Sequence, residues 1–284
     1  MPDLESPFPS RRSFISTSAG AISALAAGQL QGSPNVKPHQ KGKKGLSLIA
    51  KKNEAKKILS DLQADWFYGW GPKRPEGIDP KIEFIPMIFS YWGQKQNIKE
   101  TGIRTKEKGG KNLLGFNEPD RKKQGNISVE KALKAWPLLT ETGLRVGSPS
   151  CVHPDGDWMK EFMAKAKAKN LQIDFVCLHS YGSTNAKAFL QRLEKIHRLY
   201  QKPIWITEFA CGDWSAKSPK ENKHKPAAVL RFMETVFPAL DKLDYIERYA
   251  WFPPSQKNNA LSTSALYDSN WQLTRLGEFY RDHS

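Results

Sequence analysis

Two glutamates stand directly after apolar runs of strand type. Glu118 closes Leu113-Leu114-Gly115-Phe116-Asn117-Glu118, and Glu208 closes Ile204-Trp205-Ile206-Thr207-Glu208. A carboxylate at the end of a buried strand is hard to solvate, so one such Glu would be ambiguous between chemistry and an ion pair. A pair is more specific. Cleaving a glycosidic bond takes two carboxyls flanking it, one to protonate the leaving oxygen and one to attack the anomeric carbon or to activate water. Other apolar runs end in polar and aromatic residues: Tyr68-Gly69-Trp70-Gly71-Pro72, Ser90-Tyr91-Trp92-Gly93, His179-Ser180-Tyr181-Gly182 and Trp251-Phe252-Pro253-Pro254. Rings of this kind either fill a core or present flat platforms to the apolar C–H faces of sugars.

The elements that must position these residues alternate between short apolar runs and longer stretches of helical spacing, the signature of parallel strands with crossover helices. Eight strands are expected, over Gly45–Ile49, Ala64–Gly69, Ile82–Ile88, Asn112–Phe116, Leu144–Ser148, Phe175–Leu178, Ile204–Thr207 and Ile246–Trp251. Helices are expected over Asn53–Leu62, Ser128–Thr142, Trp158–Lys169, Asn185–Tyr200, Pro226–Leu240 and Gln272–Arg281, with a less defined one around Asn97–Lys106. Ser128 and Asn185 are candidate N-caps. Eight β/α units in this length predict an α/β fold of the (β/α)8 TIM-barrel type, with a doubly wound open sheet as the alternative. A barrel places its chemistry at the C-terminal ends of the strands, where both glutamates fall. No Gly-rich dinucleotide fingerprint or phosphate-binding loop is present, so no nucleotide cofactor is expected. Strict alternation along Ile204-Trp205-Ile206 turns Trp205 away from the barrel interior to pack under a helix. Asp120 reads as a cap for the turn after Glu118.

Composition bounds the rest. The 284 residues are 39% hydrophobic and 26% charged, as in a soluble globular protein, and carry a formal charge of +15. Basicity raises nucleic acid as a partner, but no recognition-helix, zinc-finger or RNA-binding sheet motif accompanies it, so no nucleic-acid partner is expected. The three cysteines, Cys151, Cys177 and Cys211, leave at least one unpaired within a monomer. They lie too far apart for a zinc motif, and no metal is expected. Ser10-Arg11-Arg12-Ser13-Phe14-Ile15 followed by a small, apolar run to Ala27 reads as a twin-arginine-type signal peptide over 1–27, with Ala24-Leu25-Ala26 as cleavage site. That predicts export to the periplasm or medium without membrane insertion. Residues 28–43 read as a linker and 44–284 as one catalytic domain.

Several segments resemble glycoside hydrolase family 128: Trp66-Phe67-Tyr68-Gly69-Trp70-Gly71-Pro72, Phe84-Ile85-Pro86-Met87, Leu114-Gly115-Phe116-Asn117-Glu118-Pro119-Asp120, Val146-Gly147-Ser148-Pro149, Asp174-Phe175-Val176-Cys177-Leu178-His179-Ser180-Tyr181 and Trp205-Ile206-Thr207-Glu208-Phe209-Ala210. The resemblance spans Lys44 to Arg281. It implies a retaining endo-β-1,3-glucanase of the clan with catalytic Glu on strands four and seven, acting on β-glucan; a monomer is expected. Carried over, Glu118 matches the acid/base, Glu208 the nucleophile, and Asn117 the partner of the sugar 2-hydroxyl. Tyr68, Trp70, His179, Tyr181 and Trp251 follow strands at the same rim and look like sugar contacts, although His179 also fits a satisfied core histidine. Two other readings stay open: a glycosidase of the same fold acting on another, conceivably anionic, polysaccharide, or a non-catalytic glycan-binding protein.

Overall fold

The computed structural model describes residues 42–48, 52–253 and 255–283. The expected signal peptide and nearly all of the expected linker lie outside them, as does Ile49. The order is β1 (Lys44–Ser47), α1 (Lys52–Asp61), β2 (Trp66–Tyr68), β3 (Glu83–Phe84), α2 (Lys95–Glu107), β4 (Asn112–Leu113), α3 (Val129–Thr140), β5 (Arg145–Val146), α4 (Asp157–Ala168), β6 (Val176–Gly182), α5 (Ala186–Tyr200), β7 (Ile204–Cys211), α6 (Pro226–Lys242), β8 (Ile246–Trp251) and α7 (Arg275–Asp282). Ser128 and Asn185 cap α3 and α5 by accepting from the amides of Lys131 and Ala188.

All the paired strands run parallel. Six form one sheet in the order β3-β2-β1-β8-β7-β6, and β4 pairs with β5. Regular ladders do not close the barrel; isolated parallel bridges, Met87 to Leu114 and Gly147 to Phe175, join the two sheets. This is the expected α/β barrel in eight strands, and it falls short of eight full β/α units at one place. No helix connects β2 to β3. Gly69, Gly71, Pro72, Pro75, Gly77 and Pro80 break helical spacing there. The loop is instead tied by Arg74, whose guanidinium donates to the carbonyls of Ile82 (2.8 Å) and Asp79 (2.7 Å) and lies over the ring of Phe67.

Side chains sort into two layers. Leu46, Phe67, Val176, Leu178, Ile204, Ile206, Tyr249 and Trp251 face outward and pack with helix residues such as Val229 and Phe237. Trp66, Tyr68, Met87, Leu114, Phe175, Cys177, Trp205 and Ala250 fill the lumen. Room for the large rings comes from glycine: a Cβ on Gly45 would sit 2.3 Å from the Trp66 indole, and one on Gly147 2.4 Å from Phe175.

Trp205 corrects the expected face: alternation along Ile204-Trp205-Ile206 holds, but the two isoleucines face outward and Trp205 inward. Its ring stacks on Phe175 at 4.1 Å and tilts against Trp66 at 5.4 Å inside the barrel, under the guanidinium of Arg248. A register shift follows Ile206. Leu178 pairs with Ile206, but the next residue, His179, pairs with Glu208, so Thr207 is the extra residue of a bulge. A bulge re-aims the side chains that follow it. Here it lets Trp205 and Glu208 both point inward, which an unbroken strand forbids.

Two consecutive lysines anchor the start of the barrel. The ammonium of Lys43 donates to the carbonyls of Leu240, Asp241 and Leu243 at the end of α6. That of Lys44 donates to Tyr280, Arg281 and His283 at the end of α7. Each satisfies helix-end carbonyls that have no partner within the helix. Burial pulls the Lys44 ammonium down to about 8 against the attraction of Asp65, Asp241 and Asp282.

Candidate active site

Asn117 and Glu118 sit on the peptide that leaves β4, which is held from three sides. The Asn117 amide donates to Phe89 O (2.8 Å), the Glu118 amide to Ser150 O (3.0 Å), and Asn117 O accepts from the Gly125 amide (3.0 Å). A Cβ on Gly125 would lie 2.1 Å from Asn117 O, so only glycine lets the loop fold back this closely. Glu118 has φ +36°, the left-handed region that non-glycine residues occupy at a cost of order 1–3 kcal/mol, a strain that concentrates at functional sites. Asp120 does not cap the following turn as expected. Its two oxygens accept from the amides of Val152 and His153, 3.2 Å each, and so tie the β4 loop to the β5 loop.

Glu208 lies within β7 just past the bulge, and both its oxygens are occupied. Oε1 accepts from the Tyr68 hydroxyl at 2.8 Å and from Trp70 Nε1 at 2.9 Å, and Oε2 accepts from the Tyr181 hydroxyl. Three donors on one carboxylate fix its plane. Burial, reinforced by the Glu208 charge, raises both phenols well above the usual tyrosine range, so they stay donors. Trp70 reaches its position with φ +55°.

His179 joins the two acids. Nδ1 lies 3.0 Å from Glu118 Oε1, and Nε2 lies 3.2 Å from Glu208 Oε1 without the alignment of a hydrogen bond. Burial alone pulls the imidazole pKa down, but Glu208, Glu118 and Asp120 together outweigh it and raise the net value. The ring therefore holds its proton more tightly than a free imidazole does. Glu118, His179 and Glu208 each offer one atom within 4.8 Å of the others, a grouping that could hold a metal ion. Each ring nitrogen, however, faces a carboxylate, and Glu208 Oε1 already accepts from Tyr68 and Trp70. This donor set suits an imidazole bridging the two acids better than a metal.

These groups form the floor of an open cleft of about 1050 Å³. Glu118, Glu208, Asn117, Trp70, His179 and Tyr181 all border it. Tyr68 is fully buried beneath Glu208 and does not. Trp251 does not either, which corrects its assignment to the rim. Its ring is wholly buried against Phe209 and Phe237, with Nε1 bonded to Ser264 O. The alternation of β8 turns Trp251 outward and gives the cleft to Phe252, which meets the rings of Trp70 and Tyr181 edge-on.

Other cleft residues escaped the sequence reading. Trp214 lies three residues past β7, is 64% exposed, and is held by Nε1 to Tyr181 O. Extending the strand-end rule a few residues would have found it. Arg192 reaches the cleft from α5 and bonds Ser180 Oγ and Val152 O; nothing in strand-end logic points to a helix residue. The Asn117 carboxamide keeps an orphan: its Oδ1 is buried without a hydrogen-bond partner. The three cysteines are free and buried. Among the described residues no helix is long and apolar enough to cross a membrane.

The glycosyl hydrolase catalytic core family model matches residues 45–280. Alkali-sensitive linkage protein 1 of Schizosaccharomyces pombe is 29% identical over 227 residues, 76% of this chain. The chain spans about 40% of the length of that curated relative. Among solved structures, a GH128 subgroup I endo-β-1,3-glucanase from Amycolatopsis mediterranei, in complex with laminaritriose, is 32% identical with a TM-score of 0.72, covering 85% of this chain and 99% of that one. A GH128 subgroup III curdlan-specific exo-β-1,3-glucanase from Blastomyces gilchristii, in complex with glucose, is 28% identical with a TM-score of 0.66, covering 85% and 98%.

Proposed function

Because the chain belongs to the glycosyl hydrolase catalytic core family and, within it, to glycoside hydrolase family 128, we propose that it is a retaining endo-β-1,3-glucanase with Glu118 as acid/base and Glu208 as nucleophile. The observation that carries this reading is the pair itself: an oxygen of Glu118 and one of Glu208 lie within 4.8 Å on the floor of an open cleft. Retaining enzymes hold their carboxyls about 5–5.5 Å apart, whereas inverting enzymes leave about 6.5–9.5 Å for a water. The laminaritriose complex of the Amycolatopsis endo-β-1,3-glucanase supports the substrate.

In the first step a Glu208 oxygen bonds to the anomeric carbon. The bond to the leaving oxygen breaks, and Glu118 gives that oxygen its proton. In the second step Glu118 takes a proton from water, the water oxygen bonds to the same carbon, and Glu208 leaves. Two inversions give retention. Tyr68, Trp70 and Tyr181 hold Glu208 aimed, and His179 holds the two acids in register. The unpaired Asn117 Oδ1 suits the 2-hydroxyl of the reacting sugar, which a 1,3-linkage leaves free. Such a bond tightens as charge develops on the ring. Every group in this scheme lies at one barrel mouth, so the site is complete within a single chain. The twin-arginine-type N-terminus supports export.

The test is product analysis on linear and branched β-glucans with the anomer followed by NMR. Internal cuts in laminarin-type glucan with the β-anomer formed first are expected, and about 0.5 M NaCl should change the rate little because the substrate is neutral. An α-anomer formed first would overturn retention. Faster cleavage of an acidic glycan, lost in salt, would overturn the substrate.

A further inference from the structure

The missing helix between β2 and β3 leaves the outer wall of the barrel unfilled at one place. An open groove of about 470 Å³ lies there, between the 72–81 loop, β3 and the C-terminal end of α2. It shares no lining residue with the catalytic cleft. Its charge is one-sided. Lys73, Arg74, Lys81, Arg104 and Lys108 line it against two carboxylates, Glu76 and Glu83, and Glu83 is already paired with Arg248. Arg74 is occupied by loop carbonyls and Arg104 by Glu100. Lys73, Lys81 and Lys108 are exposed and make no ion pair among the described residues. Three ammonium groups on two separate elements, facing one trough, suit a line of negative charges better than a single ion. Apart from half-buried Phe84 no aromatic ring lines the groove, so nucleic-acid bases would find no stacking platform.

We propose that this groove binds a carboxylate-bearing polysaccharide, holding the enzyme on an acidic matrix while the cleft works on a neutral chain. Attraction of this kind is additive over charges and is screened by salt. It gives part of the +15 charge a task that the neutral substrate does not.

The test uses the full chain and polygalacturonate as the probe, in affinity electrophoresis at low salt, with dextran as the neutral control. The groove variant is Lys73→Glu, Lys81→Glu and Lys108→Glu together. The matched variant places the same charge change on α4 and just past it, at Lys160, Lys167 and Lys169, which are also exposed. Each lost cation removes a counterion-releasing contact, so the groove variant should bind polygalacturonate at least roughly tenfold more weakly than the matched variant. Laminarin turnover should be unchanged in both. Equal weakening in the two variants would reduce the effect to net charge and overturn the site. Single-stranded DNA binding more tightly than polygalacturonate, and lost in the groove variant, would overturn the class of ligand.

Discussion

Nδ1 of His179 lies 3.0 Å from Oε1 of Glu118, and the imidazole that makes this contact is buried between both acids of the site. The folded-state pKa of the ring is raised above 6.5, the value expected in the unfolded chain. The folded protein therefore keeps a proton that the unfolded chain has released. The resulting stabilisation is complete below about pH 6.5 and is lost as pH rises through the folded value. The difference in Tm between the wild type and His179→Asn should be largest in mild acid and should narrow with rising pH. A gap that stays constant from about pH 5 to 9 would show that the ring does not carry this linkage.

The two glutamates are separable by azide. Glu208→Ala should lose roughly 10⁴-fold or more in kcat. Azide should then restore part of the turnover from the face that Glu208 vacated, giving the α-glycosyl azide from an activated β-glycoside. Glu118→Ala should instead yield the β-azide, because the covalent intermediate still forms and azide replaces water. The opposite pairing of variant and anomer would exchange the two roles.

The donors on Glu208 should act on the chemical step. A hydrogen bond to a charged group contributes about 1.5–3 kcal/mol. Tyr68→Phe, Tyr181→Phe and Trp70→Phe should each lower kcat by roughly 10- to 100-fold. Tyr68 does not touch the cleft, so its KM should stay near that of the wild type. A Tyr68→Phe enzyme that loses affinity but not kcat would mean that Glu208 is held in place without it.

Trp214 and Trp251 should fail in different ways. Trp214 is mostly exposed over the cleft, so Trp214→Ala should raise KM on long glucans roughly three- to tenfold and leave stability intact. Trp251 is fully buried, and Trp251→Ala should cost about 3–5 kcal/mol of stability with no selective effect on long substrates. Denaturation curves and a chain-length series read both. A KM effect confined to long chains in Trp251→Ala would contradict the buried position.

Much of this site could be read from strand ends. Glu118 and Glu208 follow apolar runs, and the barrel rule alone brings their two loops to one mouth. Helix positions were equally legible, since apolar period and the caps at Ser128 and Asn185 are local signals. What escaped depended on phase and on absence. Ile204 and Ile206 suit either side of a buried strand, so counting by twos from them fixed the alternation but not its phase and put Trp205 on the wrong face. In β8 the same arithmetic hinged on which of two neighbouring aromatics faces in, and Phe252 rather than Trp251 does. The missing helix between β2 and β3 was written in its prolines and glycines, but the basic groove it leaves needs α2 beside it in space. Lys44, the first residue of β1, meets its partners only after some 236 further residues have folded around it.

The stack of Trp66, Phe175 and Trp205 under the catalytic floor governs traffic. These rings are essentially inaccessible to solvent, so the lumen is a stopper, not a conduit. In the double displacement proposed above, the water that completes the reaction would have to enter by the mouth, where the departing half of the glucan still stands. Turnover to hydrolysis therefore waits on that fragment's exit. When concentrated oligosaccharide refills the vacated place first, a sugar hydroxyl takes the role of water and the product grows longer than the substrate. Mass spectrometry of reactions at rising laminarihexaose concentration should show those longer chains before the substrate is consumed.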